Sequence, residues 1–185
     1  MSHPDTYQID IAGIKRDLRL FEIKPGVRIA ILNILGDTEL VEAAARALND
    51  KLSGIDYDYL VTAEAKSIPL AHALGAVANK RYVVLRKSLK PYMGDALKSE
   101  TLSITTGEPQ TLYLDEKDRD RIKGSRVVIV DDVISTGSTL QGIRLIMEKA
   151  QATVVAETAI LTEGDRATWH NIIALGHLPV WVDGR

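Results

Sequence analysis

The sequence contains no cysteine among its 185 residues. This absence excludes disulfide bonds, thiolate nucleophiles and zinc sites built on cysteine, and it suits an intracellular protein. No apolar run approaches the roughly 20 residues that a membrane-spanning helix needs. The opening residues, MSHPDTYQID, are polar and do not resemble a secretory signal. We therefore expect a cytoplasmic protein with no membrane partner.

A strong charge of either sign is also missing. Lys and Arg together number 23 and Asp and Glu 25, which gives a formal net charge of −2. A strongly basic face for nucleic acid is not favoured by this balance. We therefore expect no nucleic-acid partner.

The chain has the length of one domain and carries no internal repeat, low-complexity tract or linker. Helical and strand patterns alternate through its centre, which predicts an α/β fold with a mainly parallel sheet and helices on its faces. Ligands of such sheets bind beyond the carboxyl ends of the strands. The predicted strands are 7–11, 27–31, 57–62, 82–85, 127–130 and 153–161, with short ones at 172–175 and 179–182, and the predicted helices are 39–52, 68–77 and 139–149.

The run from Val127 to Thr139, VVIVDDVISTGST, has the composition of a binding site at the end of a strand. Its continuous apolar start predicts a strand buried on both faces. Asp131 and Asp132 follow, and adjacent carboxylates can accept hydrogen bonds from a vicinal diol such as the 2′ and 3′ hydroxyls of ribose. Either carboxylate can also hold Mg²⁺ through its water shell. We assign both aspartates as ribose-binding and catalytic, with indirect metal contact.

A hydroxyl-rich loop completes this run. Ser135, Thr136, Ser138 and Thr139 surround Gly137, which lets the backbone turn tightly and approach an anion. The N–H groups and dipole of the following helix attract a phosphate. The loop is not a P-loop, because the GxxxxGK[ST] spacing and its lysine are missing. Diol acceptors beside a phosphate cradle match the two ends of ribose 5-phosphate; the alternative is a capped helix after a buried strand, with Asp-Asp as a solvated turn.

The whole run resembles the PRPP-binding signature of type I phosphoribosyltransferases, in which two acidic residues and a TG-containing loop follow a strand. The resemblance covers about Gly36 to Leu161 and adds Val133 and Ile134 to the PRPP-binding residues. It implies transfer of a 5-phosphoribosyl group from PRPP to a nitrogen, with release of pyrophosphate and with Mg²⁺. It also implies a five-stranded, mainly parallel sheet flanked by helices, a small hood that binds the base, a flexible arm, and a homodimer.

The resemblance places the whole chain in one phosphoribosyltransferase domain. Trp181 would lie near the base, unless it serves only to pack the core, and the arm would turn near Gly107. The core is expected at about 36–164, the hood at about 1–35 and 165–185, and the arm at about 88–110, with mobile residues at 88–101.

Two basic groups are candidates for the pyrophosphate of PRPP. The segment EAKS resembles the pyrophosphate loop of purine transferases, so Lys66 is assigned to stabilise the leaving group and Ser67 to bind PRPP. Arg86 and Lys87 resemble an RK pair of adenine and archaeal-type hypoxanthine transferases, and with Lys90 they are assigned to PRPP. Solvated surface residues are the alternative for both groups.

The acceptor base is less constrained by the sequence. Ser135 stands where many 6-oxopurine transferases carry an aspartate, but adenine, xanthine and archaeal-type hypoxanthine-guanine transferases also lack it. The PDFPxPG-like segment of typical adenine transferases is absent from residues 1–35. We expect a purine acceptor, with adenine narrowly ahead of xanthine and of hypoxanthine or guanine. A PRPP- or nucleotide-sensing regulator and an unrelated α/β phosphate-binding protein are the competing hypotheses.

The remaining features receive no catalytic role. His72 and His177 are isolated and are expected to be structural. The charged run 115–121 is expected to form a solvated helical turn. The loop 163–165 and Arg185 are expected near the functional edge of the sheet.

Overall fold

The computed structural model describes residues 6–102 and 109–182, so Gly107 and Arg185 lie outside the described residues. None of the described helices is long and apolar enough to cross a membrane. The elements in chain order are β1 (Thr6–Ile11), β2 (Ile14–Lys24), β3 (Val27–Ile31), α1 (Thr38–Lys51), β4 (Tyr59–Ala63), α2 (Ile68–Ala78), β5 (Arg81–Leu85), β6 (Leu97–Leu102), β7 (Pro109–Leu114), α3 (Glu116–Ile122), β8 (Arg126–Ile134), α4 (Ser138–Lys149), β9 (Thr153–Glu163), β10 (Ile173–Leu178) and β11 (Trp181–Val182).

Five parallel strands form the core sheet in the order β10-β9-β8-β4-β5, which confirms the predicted α/β architecture. Helices α1 and α2 pack in one hydrophobic cluster and α4 packs in the other. Helix α1 begins where the Asp37 side chain accepts the N–H of Leu40 at 3.2 Å, the expected capping contact. Because the strands are parallel, the loops after β4, β5, β8 and β9 meet at one edge.

Strand β8 continues past Val130, its predicted end, to Ile134. Asp131 pairs with Ala159 of β9, and Ile134 pairs with Thr162. The alternative of a solvated Asp-Asp turn is therefore excluded, because sheet pairing carries the strand through both aspartates. Their backbone is held beside β9 before any ligand binds.

A second, antiparallel sheet forms the hood in the order β1-β2-β3-β11. Strand β2 was not predicted, because charged residues such as Arg16 and Arg19 interrupt its apolar pattern even though Leu18 is buried. The closing segment is divided between the sheets. Only β11 joins the hood, whereas β10 pairs with β9 and buries Leu178 in the core. The expected hood contribution of 165–185 is therefore wrong for residues 173–178.

The arm is a two-stranded hairpin of β6 and β7 that packs on α4. The Ser99 hydroxyl donates to the carbonyl oxygen of Gly142 at 2.9 Å. At the base of the arm, the backbones of Arg86 and Tyr113 exchange hydrogen bonds of 2.9 and 2.8 Å. Strand β6 begins within the segment expected to be mobile and buries Ser99. Flexibility of the arm stays a prediction.

Candidate active site

Adjacent strands β4 and β8 bring a serine against the two aspartates of the sheet edge. The Ser67 Oγ lies 2.7 Å from Asp131 Oδ1 and 3.1 Å from Asp132 Oδ1. The same oxygen accepts the backbone N–H of Asp132 at 3.0 Å. Ser67 is only 2% exposed and Asp132 9% exposed. One oxygen of each carboxylate is thus directed at Ser67, and its other oxygen can serve a ligand.

The carboxylates carry an electrostatic penalty in this position. Burial, and then the adjacent charge of Asp132, raise the pKa of Asp131 to about 7, against the opposing effect of its hydrogen bond from Ser67. The protonated and charged forms of Asp131 are therefore close in free energy near neutral pH in the ligand-free protein. A cation or the hydroxyls of a sugar would favour the charged form.

Asp131→Asn is expected to stabilise the ligand-free protein at neutral and alkaline pH. A carboxyl whose folded pKa is raised from 3.8 to about 7 destabilises the fold as pH rises through that interval. Asparagine carries no charge, so its advantage should be absent near pH 4 and largest above about pH 7. Thermal unfolding of both proteins across this range measures the effect. An advantage that does not change with pH would contradict the assignment.

The loop from Ser135 to Gly137 joins β8 to the start of α4. Gly137 has φ +76°, in the left-handed region that favours glycine. The Thr136 and Ser138 hydroxyl oxygens lie 3.1 Å apart, and Ser135 is exposed. The Thr139 hydroxyl donates to Gln110 Oε1 of the arm at 3.4 Å. The loop therefore presents hydroxyls and the first N–H groups of a helix at the same edge as the aspartates.

An indole ring covers one side of this loop. A Cβ atom on Gly137 would lie 2.8 Å from Trp169 Cη2. The indole N–H donates to the carbonyl oxygen of Glu163 at 2.9 Å, which anchors the ring. Trp169 was not predicted as a site residue, because no local sequence pattern indicates that the loop carrying Trp169 lies beside Gly137.

The residues between the aspartates and the loop have apolar side chains that belong to the core. Ile134 is 2% exposed and packs in the cluster that includes α4. Val133 is half-buried and packs in the other cluster. Any contact of these two residues with PRPP is therefore expected through the backbone.

The basic side chains that were predicted to bind pyrophosphate have different surroundings in the structure. The Arg86 Nε donates to Glu64 Oε2 at 2.6 Å, and its Nη1 donates to the Tyr92 hydroxyl at 3.3 Å. The backbone N–H of Lys87 donates to the other Glu64 oxygen. Burial alone would raise the pKa of Glu64, but these contacts lower it below its usual value. Arg86 thus joins the loop after β4 to the base of the arm, and its direct contact with PRPP stays a prediction.

The three lysines that were predicted to bind PRPP differ in their exposure. Lys66 and Lys87 are exposed, and neither side chain has an ion pair within the part of the chain that the structure describes. Lys90 is half-buried at a short turn, where its N–H donates to the Met93 sulfur at 3.3 Å. Lys66 precedes Ser67 in the chain and follows β4, so it lies at the same sheet edge as the aspartates.

The family comparison agrees with this arrangement. Residues 30–172 match the family model described as "Phosphoribosyl transferase domain". The chain belongs to the phosphoribosyltransferase family. This confirms the resemblance recognised in the run 127–139.

Individual phosphoribosyltransferases are similar to this chain in sequence or in fold. The adenine phosphoribosyltransferase of Thermosipho africanus is 33% identical over 174 residues, which cover 90% of this chain and 98% of the relative. A hypoxanthine/guanine phosphoribosyltransferase of Methanocella paludicola is 34% identical over 115 residues, 62% of this chain and 56% of the relative. The crystal structure of the Thermoanaerobacter pseudethanolicus adenine phosphoribosyltransferase has a TM-score of 0.68 at 22% identity, covering 94% of this chain and 95% of that one.

Two further residues at this edge of the phosphoribosyltransferase fold received no firm role from sequence. Glu163 ends β9 and is 9% exposed, and burial raises its pKa. His177 on β10 has Nδ1 2.9 Å from the Thr162 hydroxyl oxygen and Nε2 3.0 Å from the Gly164 carbonyl oxygen. Burial lowers the pKa of His177. Both its ring nitrogens are used in hydrogen bonds, as expected of a structural histidine.

Proposed function

We propose that this protein is a purine phosphoribosyltransferase of purine salvage. It transfers the 5-phosphoribosyl group of PRPP to a purine base and forms a nucleoside monophosphate and pyrophosphate. The observation that carries the proposal is the meeting of Asp131 and Asp132 with the loop 135–139 at the end of one strand. The two carboxylates suit the diol of a ribose, and the helix N-terminus that follows them suits the 5-phosphate of the same ribose.

The catalytic contribution of the chain is binding and electrostatic. Asp131 and Asp132 accept hydrogen bonds from the ribose hydroxyls, and the loop 135–139 holds the 5-phosphate. Binding energy from these remote groups positions the anomeric carbon for an oxocarbenium-like transition state. Lys66 and Lys87, with Lys90 and Arg86 nearby, stabilise the charge of the departing pyrophosphate. No covalent nucleophile is required.

The donor set of the sheet edge fits Mg²⁺. Within residues 6–102 and 109–182, no three or more His, Cys, Asp or Glu side chains are grouped so that they could hold a metal ion by themselves. Two carboxylates fit a cation that keeps several waters and binds substrate oxygens, which is the usual behaviour of Mg²⁺. Asp131 and Asp132 would hold it through water and substrate. When bound, Mg²⁺ would neutralise charge on PRPP.

Adenine is the narrowly favoured base, and hypoxanthine, guanine and xanthine are the alternatives. The adenine transferase relative matches over 98% of its length, whereas the hypoxanthine/guanine relative matches over 56%.

The deciding experiment incubates the protein with PRPP, Mg²⁺ and each base, and separates the nucleotides by chromatography. No product with any base would contradict the proposal. Retained PRPP binding without product would instead support the regulatory hypothesis.

Lys66→Ala is expected to lower kcat/KM for PRPP by about 10- to 100-fold, because a hydrogen bond to a charged group contributes about 1.5–3 kcal/mol. KM for the base should change little, since Lys66 would contact the leaving group. Initial rates of pyrophosphate release measure the effect. Lys51→Ala, an exposed lysine at the end of α1, is the matched control and should behave as wild type. Equal rates for the two variants would exclude Lys66 from the site.

A homodimer and a cytoplasmic location complete the proposal. Homodimers are implied by the family resemblance. Exposed apolar side chains on the hood, Phe21 and Ile23 of β2 and Ile31 at the end of β3, suit cover by a second chain. Sedimentation of wild type and Phe21→Glu would test the dimer. The absence of disulfides suits the cytoplasm.

A further inference from the structure

We propose that Ser67 is a positioning residue for the ribose site. Its hydroxyl fixes the carboxylates of Asp131 and Asp132 and connects them to the loop that carries Lys66. The inference rests on the proposed function and assigns to Ser67 a role through the aspartates. PRPP would then meet Ser67 only through its backbone.

The hydrogen-bond valence of a hydroxyl supports this role. Ser67 Oγ has one proton to donate and two lone pairs to accept with. The proton serves a carboxylate, with Asp131 Oδ1 at 2.7 Å and Asp132 Oδ1 at 3.1 Å. The N–H of Asp132 occupies a lone pair at 3.0 Å. At 2% exposure, the hydroxyl has no proton left for a phosphate oxygen.

The position of Ser67 in the chain makes this use of its side chain informative. Ser67 precedes α2 as its N-cap residue, where a serine hydroxyl ordinarily accepts a backbone N–H of the first turn. Here the side chain makes no such capping bond, and Pro69 in the first turn has no N–H to offer. The hydroxyl therefore serves the aspartates and not the helix. Its removal should disturb the site more than the stability of α2.

The contact also defines how the carboxylates face a ligand. Two adjacent negative groups repel each other and would separate if they were unrestrained. The one proton of Ser67 bonds one Oδ1 at a time, and both Oδ1 atoms lie within 3.1 Å of Ser67 Oγ, so the remaining oxygen of each carboxylate is left for a ligand. Because Lys66 is the preceding residue, its loop and the ribose carboxylates are held in one arrangement. Weaker PRPP binding is the expected consequence of losing the hydroxyl.

Kinetics of Ser67→Ala test the proposal. KM for PRPP should rise by about 10- to 100-fold, with a higher Mg²⁺ requirement, while KM for the base stays within about twofold. Ser67→Thr keeps the hydroxyl and should recover most of the PRPP affinity. The control is Thr158→Val, which removes another buried hydroxyl that donates to the Ile173 carbonyl oxygen at 2.6 Å. It should lower Tm without raising KM for PRPP.

The outcomes separate this inference from the proposed function. Nucleotide formation by wild type with an unchanged KM for PRPP in Ser67→Ala would overturn the role of Ser67 alone. A fall in kcat and Tm with both KM values unchanged would also overturn it, because that is the result of a purely structural residue. If wild type forms no nucleotide, PRPP binding to wild type and to Ser67→Ala is compared by calorimetric titration. Equal affinity of the two proteins for PRPP, or no binding to either, overturns the inference. Should Ser67→Ala not fold, Ser67→Cys takes its place under the same criteria.

Discussion

Replacement of both Asp131 and Asp132 by asparagine is expected to lower kcat/KM for PRPP by about 10²- to 10⁴-fold. Each carboxylate would accept a charge-assisted hydrogen bond from the ribose diol, worth about 1.5–3 kcal/mol. Asparagine preserves the shape but offers one acceptor oxygen and no charge. The measurement is the initial rate of pyrophosphate release over a PRPP series at fixed Mg²⁺. The two single variants should not add, because both side chains share Ser67.

A buried aspartate outside the site provides the control. Asp118 of α3 is 8% exposed and forms ion pairs with Lys117 and Arg121. Asp118→Asn should therefore lower Tm but keep kcat/KM within about twofold of wild type. If the double variant of Asp131 and Asp132 binds PRPP as wild type does, the ribose assignment fails.

The parts of the site that lie within one short run could be predicted from sequence. Carboxylates, a turn-forming glycine and hydroxyl side chains occur together between Val127 and Thr139, so their chemistry can be interpreted without a fold. The order of helices and strands similarly predicted the parallel sheet, and parallel strands bring their carboxyl ends to one edge. Local patterns were sufficient in both cases.

Contacts between distant residues could not be predicted in this way. Ser67 and Asp131 are 64 positions apart, and the hydrogen bond between them depends on β4 lying beside β8. The Glu64–Arg86 ion pair and the approach of Trp169 to Gly137 depend on the loops after the strands. The sequence therefore predicted that the side chains of Ser67 and Arg86 bind PRPP itself. The structure shows that protein groups already engage their side chains.

The predicted limits of the strands were wrong where the local residue preference and the observed strand pairing differ. Aspartates ordinarily disfavour a strand, yet β8 continues through Asp131 and Asp132 because β9 supplies a partner backbone. Strand β2 carries Arg16 on the same face as buried Leu18, and exposed Phe21 and Ile23 on the other face, so its apolar alternation is weak. Strand β10 contains Gly176, a residue unfavourable to strands, at a point where an added Cβ would lie 2.8 Å from Leu161 Cδ2. In each case tertiary pairing outweighs local preference.

Gly137→Ala is expected to raise KM for PRPP by at least about 100-fold, the order of effect that a misplacement of about 1 Å produces in a binding site. Two causes act together. The left-handed φ of +76° is unfavourable for alanine, and the new Cβ would lie 2.8 Å from the Trp169 ring. The indole N–H is bonded to the Glu163 carbonyl oxygen, so the ring cannot move away without losing that contact. The loop backbone must shift instead, and its N–H groups would no longer converge on the 5-phosphate.

Gly54→Ala separates the two causes. Gly54 has φ +86° with nothing within 4 Å of a new Cβ, and it lies beyond the end of α1. It should show the loss of stability from backbone strain, about 1 kcal/mol, with KM for PRPP unchanged. Trp169→Leu combined with Gly137→Ala should recover part of the PRPP affinity, because the smaller side chain removes the contact. Affinity measured by titration of PRPP gives the coupling energy directly. If Gly137→Ala binds PRPP as Gly54→Ala does, the loop is not the phosphate cradle, and the match to ribose 5-phosphate at the end of β8 fails with it.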